Sequence, residues 1–284
     1  MYKFALIGYP VSQSLSAVIH KAALNSLGLE GDYELLPTPA EDLVDRIKYL
    51  KANGYDGVNV TIPLKVPVTL FLESFDKVAD LAGSANTIKF MPDRSMAGYN
   101  TDVFGFYQAI PNSIRPELEG KKIAVLGAGG AARAIVVSLV QLKVDQIDFY
   151  VRNVVNAHDF VENIRKYCPN LKVNLKQFQS MGDLSEYSML VNTTPVGMIN
   201  KSMGISPVEE RFISTMNPDA IVYDIVYNPI KTELVYLAQK HGLRTISGLD
   251  MLVYQAQKSF EIWTGQLPDF KDMKIAALEA LLEK

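Results

Sequence analysis

KIAVLGAGGAARAIVVSLVQL, residues 122 to 142, carries an apolar strand pattern straight into a glycine-rich turn and then into a helical pattern. In that context Gly127-Ala128-Gly129-Gly130-Ala131-Ala132 matches the G-x-G-x-x-G/A fingerprint of a dinucleotide site. Gly127 allows the tight turn, Gly129 lets backbone approach a diphosphate, and Ala132 lets helix pack on strand. The helix start then offers free N–H groups and a partial positive charge to phosphate. The competing interpretation is a merely tight strand-to-helix turn.

Outward from this turn, strand and helix patterns alternate in both directions, which predicts parallel sheets covered by helices. After it come strands QIDFYV, LKVNLK, MLVNTT, AIVYDIV and RTIS, with helices near Asn156 to Tyr167 and at TELVYLAQKH. Before it, KFALIG, DYELLP, DGVNVTI and ANTIKF read as strands, separated by helices near Ser16 to Leu27 and Ala40 to Asn53. PNSIRPELEGKK, with two prolines, breaks the alternation and marks the approach to a second domain. Leu249, Leu252, Val253, Ala256 and Phe260 form one apolar stripe on a helix near the C-terminal end.

The 284 residues suffice for two domains, with 48% hydrophobic and 21% charged residues. A net charge of −3, with both signs interspersed, gives no electrostatic footprint for nucleic acid or an anionic membrane. A small molecule is therefore the expected partner. One cysteine, Cys168, excludes an intrachain disulfide. YKFALIGYPV is broken by Gly8 and Pro10, so neither a signal peptide nor a membrane span is expected, and the protein reads as cytoplasmic. His20, His158 and His241 are dispersed, so no metal is expected.

Coenzyme choice is read where the second strand of the nucleotide unit ends, at Val151-Arg152-Asn153. An acid there would grip a ribose 2′-hydroxyl and an arginine would suit a 2′-phosphate. Asp148 lies too early in the strand, so Arg152 favours NADP; as a solvated surface arginine it would decide nothing.

VNVTIPLK, residues 58 to 65, is a strand that leaves its sheet at Pro63 and ends on Lys65. Ligands of open α/β sheets collect beyond the carboxyl ends of strands, where Asn59, Thr61 and Lys65 cluster. Taken alone, Lys65 reads better as an ordinary lysine in a first helical turn. Two further polar clusters at strand ends, Ala85-Asn86-Thr87 and Tyr99-Asn100-Thr101-Asp102, add weight to a site. Asp102 also reads as the N-cap of VFGFYQAI, and Ser16 as the N-cap of the first helix. Ser14 with Ser16 at that helix start could equally hold a carboxylate.

Jointly and in this order, Gly8-Tyr9-Pro10 with Ser14-Leu15-Ser16, Asn59 to Lys65, Ala85-Asn86-Thr87, Asn100-Thr101-Asp102, Gly127 to Arg133, Asn192 to Met198 and Gly248 to Gln255 resemble the motifs of the shikimate dehydrogenase family. The resemblance implies an α/β protein of two domains. A discontinuous substrate domain, 1–102 and 250–284, would carry a mostly parallel sheet. Residues 103–249 would form a Rossmann-type, doubly wound NADP-binding domain. It implies reversible, NADPH-dependent reduction of 3-dehydroshikimate to shikimate by a monomer or homodimer. Lys65 and Asp102 would form the catalytic pair. Ser14 and Ser16 would hold the substrate carboxylate, while Asn59, Thr61, Asn86 and Gln255 hold ring hydroxyls and Tyr227 flanks the ring. Gly127, Ala128, Gly129, Gly130, Ala131, Arg152, Asn192, Thr193, Thr194, Met198 and Gly248 would lie along NADP.

Three places depart from the family pattern. Ala17 replaces a usual proline, Val151-Arg152-Asn153 replaces Asn-Arg-Thr, and Asn156 stands where a base is common. The 2′-phosphate grip is thinner, so use of NAD is also open. Two rivals remain: a quinate/shikimate dehydrogenase with mixed coenzyme use, and a non-catalytic sensor of shikimate-pathway acids, against which the retention of both Lys65 and Asp102 speaks. A glutamyl-tRNA reductase-type domain shares the glycine turn but leaves the serine and lysine clusters unexplained.

Overall fold

The computed structural model describes residues 1–283, which divide into two compact units, Met1–Phe106 with the segment from Leu252, and Tyr107–Met251. Both boundaries fall inside helices.

The first unit contains β1 (Tyr2–Gly8), α1 (Ser16–Ser26), β2 (Gly31–Pro37), α2 (Leu43–Ala52), β3 (Gly57–Val60), β4 (Ser74–Phe75), α3 (Lys77–Ala82), β5 (Thr87–Phe90) and β6 (Met96–Tyr99). Its sheet runs β2-β1-β3-β5-β6-β4, with β1 parallel to β2 and β3, and β5 antiparallel to both β3 and β6. Alternation along β1 sorts its side chains between the two faces. Ala5 and Ile7 join Leu43, Ile47 and Leu50 of α2 in one core cluster. On the other face, Phe4 stacks on Trp263 at 4.6 Å between ring centroids. The Trp263 indole N–H donates to the Ile88 carbonyl at 2.9 Å. Gly57 makes this docking possible, since a Cβ there would stand 2.3 Å from Trp263 Nε1. The strand expected through Ile62 ends at Val60, because the chain turns away at Thr61 and Pro63 cannot extend a ladder. β4, α3 and β6 were not expected from the sequence. β6, Met-Ala-Gly-Tyr, has little β-propensity and is held by its hairpin with β5.

α4 (Thr101–Ala109) leads into the second unit, which holds β7 (Lys122–Leu126), α5 (Gly130–Gln141), β8 (Gln146–Val151), α6 (Val154–Tyr167), β9 (Lys172–Gln177), β10 (Met189–Asn192), α7 (Ile199–Ser202), α8 (Glu210–Ile213), β11 (Ile221–Asp224), α9 (Glu233–Lys240) and β12 (Arg244–Ser247). α10 (Gly248–Thr264) and α11 (Phe270–Leu282) complete the chain. The second sheet runs β12-β11-β10-β7-β8-β9 with every pair parallel. This is the doubly wound 3-2-1-4-5-6 order, reversing between β7 and β10. β10 and β11 are buried along their whole lengths, as parallel strands covered on both faces must be. Among the described residues no helix is long and apolar enough to cross a membrane, and no group of three or more His, Cys, Asp or Glu could hold a metal.

Candidate active site

In the first unit, the chain beyond β3 is pinned before Lys65 is placed. Thr61 N–H donates to the Ile7 carbonyl at 2.9 Å, and Ala85 N–H donates to the Lys65 carbonyl at 2.8 Å. Lys65 lies in the turn ahead of a short 3-10 stretch at Pro67–Phe71, not in a first helical turn. Its Nζ stands 2.6 Å from Asp102 Oδ2, with the two side chains 15% and 8% exposed. Asp102 is not the N-cap of α4 but its second residue, where the helix start favours a negative charge. Its other oxygen accepts from Asn86 Nδ2 at 2.9 Å. The Asn86 amide cannot be turned over, because its Oδ1 accepts from the Thr101 backbone N–H at 2.7 Å. One carboxylate oxygen is thus held by an amide while the other meets the ammonium.

Behind this pair lies a buried polar network. Asn59 Nδ2 donates to the Asn86 carbonyl, Thr87 Oγ1 and Ser259 Oγ at 3.0 to 3.2 Å, and its Oδ1 faces Tyr33 Oη at 2.8 Å. Ser259 Oγ also meets Thr87 Oγ1 and Thr101 Oγ1 at 2.7 and 3.0 Å, and donates to the Gln255 carbonyl. Gln255 is buried rather than a surface amide, and its Oε1 lies 3.4 Å from Asn86 Nδ2. Ser14 Oγ donates to Ser16 Oγ at 3.0 Å and accepts from the Ser16 N–H at 3.2 Å. Ser16 opens α1 instead of capping it, since Leu15 occupies the cap position. Thr61 is half-buried just past β3. Lys65, Asp102, Asn86, Gln255 and Asn59 therefore meet in one hydrogen-bonded group. Tyr33 and Ser259 belong to it as well, although no local pattern marks either of them.

The second unit brings the glycine turn against the end of β10. Gly127 has φ +94°, and a Cβ on it would lie 2.9 Å from Thr193 Oγ1, so only glycine fits there. Gly129 precedes α5 with open space where a Cβ would be, and Ala132 is fully buried against the sheet. A diphosphate fits such a turn: the backbone is bare, and a 12-residue helix starts at Gly130 with Ala131 in its first turn. Asn192 is committed to the protein, donating to Asp224 Oδ1 at 2.9 Å and accepting from the Thr194 N–H at 3.0 Å. Asp224 is wholly buried and its pKa is pushed up to about 6 by that burial, against hydrogen bonds from Thr232, the Val226 N–H and Asn192. Arg152 is exposed at the end of β8, while Asn153 Oδ1 is occupied in capping α6. Asp148 lies inside the sheet, bound by Lys176 Nζ at 2.8 Å and Tyr187 Oη at 2.6 Å. Met198 is half-buried ahead of α7, Gly248 opens α10, and Tyr227 is half-buried in the turn after β11.

A doubly wound parallel sheet with a bare glycine turn, together with a lysine–aspartate pair on an α/β unit, defines a dinucleotide-dependent oxidoreductase of two α/β units. Residues 6–88 match the shikimate dehydrogenase substrate binding domain, and residues 248–278 match the shikimate 5′-dehydrogenase C-terminal domain. The shikimate dehydrogenase (NADP(+)) of Geobacillus kaustophilus is 38% identical over 278 residues, 98% of either chain. Shikimate 5-dehydrogenase from Thermus thermophilus, solved with NADP(H) and shikimate, superposes with a TM-score of 0.85 at 33% identity, covering 99% of this chain and all of that one. Quinate dehydrogenase from Corynebacterium glutamicum, solved with NAD, gives a TM-score of 0.88 at 26% identity, covering 98% and 99%. The chain belongs to the shikimate dehydrogenase family.

Proposed function

We propose that this chain reduces 3-dehydroshikimate to shikimate reversibly, with NADP as coenzyme, and that Lys65 and Asp102 carry the proton chemistry. The observation that supports it most is the Lys65–Asp102 pair at 2.6 Å, largely out of solvent, with Asn86 holding the second carboxylate oxygen. NADPH, when bound, supplies the hydride. The Lys65 ammonium stabilises the negative charge that builds on the ring carbonyl oxygen and delivers a proton to it. Asp102 fixes the direction of that ammonium and is itself fixed by Asn86, so the donor is oriented before substrate arrives. In the oxidative direction the same lysine takes the proton from the ring hydroxyl.

In this proposal Ser14 and Ser16 hold the substrate carboxylate, while Asn59, Thr61, Asn86 and Gln255 set the hydroxyl-binding side and Tyr227 flanks the ring. Asn59 and Asn86 have their amide N–H groups committed to protein acceptors, so they shape the pocket chiefly through the groups they hold. The unit formed by the first 106 residues and the segment from Leu252 is the substrate domain, and Tyr107–Met251 is the coenzyme domain. Gly127 to Ala131 take the diphosphate, Arg152 the 2′-phosphate, and Asn192 to Thr194, Met198 and Gly248 the rest of the coenzyme. The deciding experiment follows NADPH and NADH consumption with 3-dehydroshikimate; absence of turnover with both would remove the proposal.

A second reading adds quinate as substrate and mixed coenzyme use; the latter is favoured by the Asn153 side chain, which is spent on the α6 cap rather than free for phosphate. Comparing shikimate and quinate in one spectrophotometric assay decides it. Arg152→Ala should weaken NADPH binding much more than NADH binding, and equal effects would dissociate Arg152 from the 2′-phosphate. The enzyme is expected to be a monomer or homodimer, measurable by light scattering.

A further inference from the structure

Among the buried polar groups of the first unit that the chemistry above does not use is the phenol of Tyr33 on β2. It is 2% exposed, its ring lies flat on His20 with centroids 4.5 Å apart, and Oη stands 2.8 Å from Asn59 Oδ1. The partners of Asn59 fix the direction of that hydrogen bond. Asn59 Nδ2 lies 3.2 Å from the Asn86 carbonyl, which can only accept, so the amide oxygen faces Tyr33 and the phenol donates. With its single proton committed to Asn59, Oη has only acceptor capacity left; burial pushes its pKa up, and the neighbouring Ser16 side chain offsets part of that push. His20 contributes a neutral ring face, because complete burial pushes its pKa down to about 3. Tyr33 thus holds Asn59 of the proposed hydroxyl end directly and lies beside Ser16 of the proposed carboxylate end.

We propose that the Tyr33 hydroxyl is a positioning residue that sets Ser16 and Asn59 at the spacing the substrate requires. This rests on the proposed function. Tyr33→Phe keeps the ring and its stack on His20 and removes one oxygen. The KM for shikimate should rise about tenfold, the value of one displaced hydrogen bond, with kcat changed less than about twofold and the KM for NADP unmoved. In a Ser16→Ala background the same substitution should add far less than it does alone, because the two share one interaction. A merely structural phenol would lower the melting temperature and the active fraction, reducing kcat and leaving KM in place. An unmoved shikimate KM, or effects that multiply independently in the double variant, would overturn the proposal. Wild-type turnover measured alongside separates the two readings: an inactive wild type ends both, whereas an active wild type with an unmoved Tyr33→Phe KM ends this one alone.

Discussion

Lys65 and Asp102 form an ion pair with little access to water, and the cost of breaking such a pair is as informative as the loss of chemistry. Lys65→Met should lower turnover with 3-dehydroshikimate by roughly 10²- to 10⁴-fold. It should also destabilise the protein by about 3–5 kcal/mol, because Asp102 then holds an uncompensated buried charge. Lys65→Met combined with Asp102→Asn should recover most of that stability and none of the turnover. Urea titrations of wild type, Lys65→Met and the double variant check the stability claim; a double variant no more stable than Lys65→Met would show that the pair carries no such penalty. At this scale the sequence was partly legible. Lys65, Asn86 and Asp102 stand out as polar residues where strands end, but Ser259 shows only as one hydroxyl within a helix. It reaches Asn59, 200 residues away in the chain, only through the tertiary fold. Tyr33 is hidden for the same reason, since nothing in its strand, where it stands between Asp32 and Glu34, sets it apart.

β8 illustrates how an element can be correctly located while the purpose of its one charged residue stays hidden. Its sequence, Gln-Ile-Asp-Phe-Tyr-Val, buries Asp148 wholly in a strand of which only Gln146 is part-exposed. Burial alone would push the Asp148 pKa up, but Lys176, Tyr187, Gln146 and Asn174 outweigh it and hold the carboxyl well below the usual aspartate range. The charged form is therefore favoured by folding. Its contribution is complete above the ordinary aspartate pKa of about 3.9 and is lost as pH falls further below it, where the unfolded chain binds a proton and the folded chain does not. Wild type should accordingly lose more stability than Asp148→Asn between pH 5 and pH 3, though Asp148→Asn starts lower at neutral pH. Parallel denaturation curves at several pH values test this, and equal acid sensitivity would place the effect elsewhere. The long elements were legible because their apolar periods are strong. β4, with two residues, and β6, with Ala97 and Gly98 at its centre, have no period to detect and exist through their neighbours.

The whole chain divides into a contiguous unit, Tyr107–Met251, and one assembled from two separated segments. The contiguous unit has its own parallel sheet and a core that includes Leu126, Leu190, Val222 and Leu234. A fragment of residues 107–251 should fold cooperatively and bind NADPH without turning over 3-dehydroshikimate, as circular dichroism and coenzyme fluorescence would reveal; a fragment that stays unfolded would mean that its sheet needs the remaining residues. The alternating pattern made the α/β class legible, yet periodicity alone did not say where the last helices pack. That answer lies in Gly57, whose missing side chain leaves room for Trp263. During synthesis, the strands made first must wait, uncapped, until an indole made after the entire nucleotide-binding sheet reaches them. The half of the protein that is born first is thus completed last.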